Sequence, residues 1–221
     1  MNANNVYIKL LSKVNENFTN DNIALDKGRA FYHINEAQNK FTEWALEKRN
    51  DDTLRDIQIL LVDDLRLEVE KSHLNHTNFK LPANYFDFSN LTVKASKEKC
   101  KNAKLLPIEI KDENKHLLEF DYNNKPSFEW RETFYNLSSN NIKVYKDDFE
   151  ISEVYLSYYR YPKQINFEGF IMSDGSPSIN SDPEFDDKIM DRIISIAAKD
   201  FNAVMGRSTI DIDKDRINSK N

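Results

Sequence analysis

Apolar positions recur every three or four residues over the first third of the chain. Val6, Leu10, Val14 and Phe18 fall on one stripe, the spacing of a short amphipathic helix. Phe31, Ile34, Ala37, Phe41 and Ala45 mark a second helix over 27–48, with Asp26 placed to cap it. Leu54, Ile57, Leu61 and Leu65 predict a third helix from Asp52 to about Leu65, started by Asp51 or Asp52. Core packing accounts for all three stripes.

Beyond Leu65 the period shortens to two. Arg66 to Ser72 alternates, and Leu91 to Ala95, Leu105 to Lys111, Phe128 to Tyr135 and Ile142 to Tyr145 are rich in strand formers. One or two helical turns are expected over Asn114 to Phe120. Ile151 to Tyr161 is the clearest strand: Val154, Leu156 and Tyr158 face one way, Tyr155, Ser157 and Tyr159 the other. Pro162 ends it, because proline has no N–H for the ladder. A loop with Gly169, Gly175 and Pro177 leads to Asp182-Pro183, which reads as a capped helix start. Phe185, Ile189, Ile193, Ile196, Ala197, Phe201 and Val204 form its stripe, and Gly206 is placed to stop it.

The expected fold is therefore α+β. Residues 1–65 are helical and 66–162 form a mostly antiparallel β-rich middle. Residues 163–206 hold a loop and a long helix that rejoins the first helices as a bundle, and 207–221 are an extended tail.

Composition narrows the chemistry. The chain has 221 residues and a net charge of -6, with 39% hydrophobic and 12% aromatic residues. So many rings argue against a disordered chain. No apolar run approaches the roughly 18 residues of a membrane span, and no secretory signal is visible at the start, so a cytoplasmic place of synthesis and no membrane partner are expected. Cys100 is the single cysteine, which excludes an intrachain disulfide and a cysteine-based zinc site. The four glycines are too far apart for a P-loop or a dinucleotide fingerprint.

Catalytic signals are thin. His73 and His76 share the spacing of a metal-binding pair, but a third ligand is not apparent. Lysines 97, 99, 101 and 104 surround Cys100 and would lower a thiol pKa, yet no histidine lies nearby to complete a nucleophile. Asp51-Asp52, Asp63-Asp64, Asp147-Asp148 and Asp186-Asp187 lack the local frame of a magnesium-dependent nuclease. Neither an enzyme nor a cofactor is expected. Charge is more uneven than its total suggests: Asp147 to Asp191 holds eleven acids and three bases. Such a run is either a solvated face or an acidic surface that repels nucleic acid or meets a basic partner.

Three segments in order carry a resemblance. They are the turn Leu81-Pro82-Ala83-Asn84-Tyr85, the strand end Tyr158-Tyr159-Arg160-Tyr161-Pro162, and Asp182-Pro183-Glu184-Phe185 opening a helix with Ala197-Ala198. Asn124-Lys125-Pro126-Ser127 and the Ile142 to Tyr145 strand lie between the first two. The pattern, over roughly residues 54 to 205, resembles the head-to-tail adaptor proteins of tailed bacteriophages, the portal-attached ring proteins of short-tailed, crAss-like phages.

The resemblance implies a structural virion protein with no cofactor. It implies a ring of twelve copies that joins the portal protein to later tail ring or hub proteins, with DNA passing through unbound. A head-completion plug or tail-hub component is the alternative. Within the ring reading, Glu168 and Asp174 are expected to face the channel, where acids keep phosphates from sticking. Ile210 and Ile212, alternating with aspartates, are expected to contact the portal or a neighbouring subunit by strand addition.

Overall fold

The computed structural model describes residues 1–15, 25–111, 125–138, 140–169 and 175–204. It divides into two compact units: Met1–Ile59 with Pro162–Asn221, and Leu60–Tyr161. The order of elements is mixed α+β.

The first unit is helical. Helix α1 (Ala3–Asn15) buries Ala3, Val6, Leu10 and Val14. Helix α2 (Lys27–Lys48) buries the whole expected stripe together with Gln38, Thr42 and Leu46. The Asp26 carboxylate accepts the Arg29 N–H at 3.2 Å, satisfying one of the donors left open at the helix start. Helix α3 (Asp51–Asp56) is short, with Asn50 rather than an aspartate as its cap, accepting from the Thr53 N–H at 2.8 Å. Helix α4 (Asp187–Val204) buries Ile189, Met190, Ile193, Ile194, Ala197, Ala198, Phe201 and Asn202 and packs on α1 and α2. Lys9–Asp191 and Lys40–Asp200 ion pairs of 2.6 and 2.7 Å flank those contacts. The segment after Pro162 is held against α2 as if by a strand: Asn35 accepts the Ile165 N–H at 2.8 Å and donates to its carbonyl at 3.1 Å.

The cap of α4 differs from the expected one. Asp186 accepts the Ile189 N–H at 2.9 Å, so the helix starts four residues later than Asp182-Pro183 suggests. Asp182 instead accepts the Ala3 N–H at the start of α1, at 2.9 Å. Phe185 is buried edge-on to Phe41, with ring centroids 6.1 Å apart. Asp186→Ala should lower stability by about 1 kcal/mol through α4, as loss of an N-cap does. Thermal unfolding followed by the helical signal checks it, with Asp186→Asn expected to stay near the wild type.

The second unit is one curled sheet. Its strands are β1 (Leu61–Arg66), β2 (Val69–Ser72), β3 (His76–Lys80), β4 (Tyr85–Lys97), β5 (Cys100–Glu109), β6 (Glu132–Ser138), β7 (Asn141–Tyr145) and β8 (Glu150–Arg160). They lie in the order β1-β8-β4-β5-β6-β7-β3-β2. All neighbours are antiparallel except β5 and β6. The curl has two corners. At the first, β5 leaves β4 after Leu105 and pairs with β6 from Leu106. At the second, β1 and β2 are the two sheet edges, yet only Leu67 and Glu68 separate them. Leu67 donates to Val154 of β8 at 2.9 Å, and Glu68 accepts from Lys80 of β3 at 3.3 Å. The two-residue link therefore bonds to both halves of the sheet and ties them at this corner. Inward side chains from both halves form the core, including Phe79, Leu91, Val93, Ile142, Val144, Val154 and Leu156.

Several expected elements fall differently. Leu61 and Leu65 lie in β1, not in a helix reaching Leu65, because Leu61 to Arg66 pair with Tyr155 to Tyr159 of β8. The expected strand Arg66 to Ser72 is broken at the Leu67-Glu68 corner, and Val69 faces outward, 55% exposed. The third expected strand begins earlier, at Cys100, and ends at Glu109. Phe128 to Arg131 form a turn closed by a Ser127–Glu132 bridge, with Arg131 left-handed at φ 56°, so β6 starts only at Glu132. Asn114 to Phe120, Phe18 and Gly206 lie outside the described residues.

Candidate functional site

Two of the segments that carry the resemblance meet in one corner of the sheet. The turn after Leu81 is closed by the Tyr85 N–H donating to the Pro82 carbonyl at 3.0 Å. β4 then pairs Tyr85 with Arg160 at the end of β8. The Tyr158 hydroxyl donates to the Asn84 side-chain oxygen at 2.9 Å, and the Tyr161 N–H to the Asn84 carbonyl, also at 2.9 Å. Tyr85 and Tyr158 stack at 5.8 Å, and Phe86 meets Tyr161 edge-on at 4.4 Å. Burial pushes the Tyr85 phenol up to about 12, so it stays neutral and packs as an aromatic.

Several acids of the run are paired with bases, some nearby in the chain and some distant. Asp148 pairs with Lys97, Glu150 with Lys146, Glu184 with Lys163 and Asp191 with Lys9. Glu153 takes Lys94 at 2.9 Å, Arg66 at 3.3 Å and the Tyr155 hydroxyl at 2.9 Å on the outer sheet face. The Lys94 hydrogen bond holds the Glu153 carboxyl below its usual range. Glu168 is exposed at the edge of the loop, whose base is closed by the Asn166–Ser181 bridge. Its N–H donates to the Asn180 side-chain oxygen at 2.8 Å. Asp174, Ile210 and Ile212 lie outside the described residues. The Glu168 carboxylate accepts from the Asn180 amide at 3.5 Å.

His73 and His76 come together across the β2–β3 hairpin, rings stacked 4.5 Å apart. Among the described residues no group of three or more His, Cys, Asp or Glu is placed to hold a metal ion. Burial, and then Lys143, His73 and Lys146, push the His76 pKa below its ordinary 6.5. A histidine that resists protonation in the folded state stabilises fully above its unfolded pKa, and that stability drains away as pH falls toward the lowered value. Protection factors of amides in the β2–β3 hairpin, with the intrinsic pH dependence of exchange divided out, should therefore fall from about pH 6.5 downward and stay flat between about 7 and 8. His76→Gln should flatten the profile.

One feature escaped the sequence. A groove of about 640 Å³ on the helical unit is lined by Lys40, Phe41 and Trp44 of α2 and by Arg192, Ser195 and Ile196 of α4. That volume lies within the range of small-ligand and peptide sites. Trp44 is 42% exposed although it neighbours the buried Phe41 and Ala45. An exposed tryptophan beside the core stripe was the available signal.

No protein-family model matches the chain, and no curated protein matches it.

Proposed function

We propose that the chain is a structural virion protein, a head-to-tail adaptor whose copies form a ring between the phage portal and the tail. The observation that carries this reading is the corner described above. The proline turn and the tyrosine-rich strand end belong to one packed and hydrogen-bonded unit, which supports the reading by making them parts of one structural element.

In this reading α1 to α4 form a helical bundle, and the curled sheet is a second unit inserted in the chain between α3 and α4. Twelve copies close by head-to-tail contacts, which a rotation can bring full circle. Glu168 and Asp174 face the DNA channel without binding DNA. Ile210 and Ile212 engage the portal or an adjacent subunit, and other tail ring or hub proteins lie below. No catalysis and no cofactor are involved, and the protein resides at the portal vertex of the virion.

Light scattering of the purified chain with and without portal tests the proposal. The free chain should be monomeric or mixed, and portal should convert it to one larger species. An unchanged size on mixing overturns the adaptor reading. Binding to a tail hub but not to portal would leave the head-completion or tail-hub alternative.

A further inference from the structure

The outer face of strands β2, β3, β7 and β6 carries two parallel rows of side chains. Thr77, Phe79, Ile142, Val144 and Tyr135 are buried on the inner face, so their neighbours along each strand face outward. Register sets the first row. Lys71 lies opposite Asn78, Asn78 opposite Lys143, and Lys143 opposite Asn136. Two residues along each strand lies the second row. The rings of His73 and His76 stack at 4.5 Å, and His76 meets Tyr145 at 6.1 Å. Phe134 stands next, because Tyr135 pairs with Val144 and the same register sets Phe134 beside Tyr145.

The two rows differ in chemistry. In a chain of net charge -6, neither row holds a carboxylate. Lys71 and Lys143 form no ion pair among the described residues, unlike Lys94, Lys97 and Lys146 elsewhere on the sheet. The groups whose charge acts on His76 are Lys143, His73 and Lys146, all bases. Asn136 is 4% exposed, and its Oδ1 and that of Asn78 are buried acceptors without a partner, a state that costs free energy until a donor arrives. The two lysines stand two strand spacings apart, about 10 Å, and about 7 Å separates the rows.

We propose that this face binds single-stranded nucleic acid without reading its sequence, with phosphates on Lys71 and Lys143 and bases stacked on His73, His76 and Tyr145. Rings supply π-faces that any base can use, and lysines match the backbone charge. Asn78 and Asn136 offer acceptors to the exocyclic amines of bases. A duplex keeps its bases paired inside, so it cannot use the ring row. The assignment goes beyond the adaptor reading and does not rest on it. Packaged duplex DNA passing through a ring is not the ligand of this face.

Fluorescence anisotropy with the full-length chain and a labelled, mixed-sequence strand of about twelve nucleotides tests the assignment. The strand should bind at low salt, and its duplex at least about ten-fold more weakly. Lys71→Gln with Lys143→Gln should reduce the slope of log affinity against log salt by about 1.4, the loss of two phosphate contacts on a single strand. His73→Ser with His76→Ser should weaken binding about ten-fold at fixed salt, as loss of stacking does. Circular dichroism matching the parent shows that the variants fold. Lys71→Glu alone, at an exposed position, should also weaken binding and keeps the test decisive if a paired variant unfolds. No binding at low salt overturns the proposal, as do a duplex that binds equally well and an affinity unchanged in every variant. Displacement of the strand by polyglutamate at equal charge concentration also overturns it, and would assign the face to an acidic protein surface.

Discussion

Replacing Phe79 by alanine should remove about 3–5 kcal/mol of stability, as truncation of a buried ring does. Phe79 is 1% exposed on β3 and lies opposite Val69 of β2 and Ile142 of β7. It packs within the cluster that both halves of the sheet share. Removing the ring takes apolar area from the core and leaves a cavity beside the Leu67-Glu68 corner, where the backbone is held by hydrogen bonds to β8 and β3. The surrounding strands cannot collapse into the space without giving up those bonds. For a chain of this size the loss corresponds to a fall in melting temperature of about 6–20 °C. Leu74→Ala, at a residue 87% exposed in the same hairpin region, should stay within about 0.5 kcal/mol. Denaturant unfolding of both variants checks the pair. Equal midpoints would mean that the core does not hold the corner closed.

Lys146 should show that the two sides of one ion pair are unequal. Its side chain is 4% exposed, whereas its partner Glu150 is 74% exposed. The ammonium also donates to the Ser72 hydroxyl at 3.3 Å, and the Lys146 N–H donates to Asn75 at 2.9 Å. Lys146→Ala loses a buried aliphatic stem and a charged hydrogen-bond donor, with an expected cost of about 2–3 kcal/mol. Lys146→Met keeps the stem and removes a charge held away from water, so its cost should be less than about 1 kcal/mol. Glu150→Gln alters an exposed group and should remain within about 0.5 kcal/mol. Urea unfolding of the three variants decides the matter. Glu150→Gln as damaging as Lys146→Ala would make the Coulombic pair, rather than the packing, the stabilising element.

The parts of the fold legible in the sequence are those with a local cause. In α2, one stripe of Phe31, Ile34, Ala37, Phe41 and Ala45 is buried as its spacing dictates. In β8, Val154, Leu156 and Tyr158 are buried on one side as alternation dictates. Leu54, Ile57, Leu61 and Leu65 fit a helical stripe equally well, yet the last two join a strand whose partner, β8, lies about ninety residues further on. No local pattern carries that information. β3 went unseen because Thr77 and Phe79 are its only inward side chains and one of them is polar. Asp182 and Asp186 are both cap residue types, and the choice between them was made by the Ala3 N–H at the far end of the chain. The acidic run was visible as composition. The pairing of Asp191, Glu153 and Asp148 was not, because Lys9, Lys94 and Lys97 come from distant elements.

The order in which the ribosome delivers these elements sets a schedule for folding. Helices α1 and α2 emerge with apolar faces that α4 covers, and α4 begins only at Asp187. Strand β1 likewise emerges about ninety residues before β8, its pairing partner. At bacterial rates of about 5–20 residues per second, the face of α2 waits on the order of ten to thirty seconds for its cover. The β-rich unit, complete at Tyr161, is free to close first. During that interval the nascent chain presents a sticky helical surface at one end and a nearly finished sheet at the other. A chaperone that holds hydrophobic helices near the ribosome exit would therefore affect the yield of this protein more than its final stability.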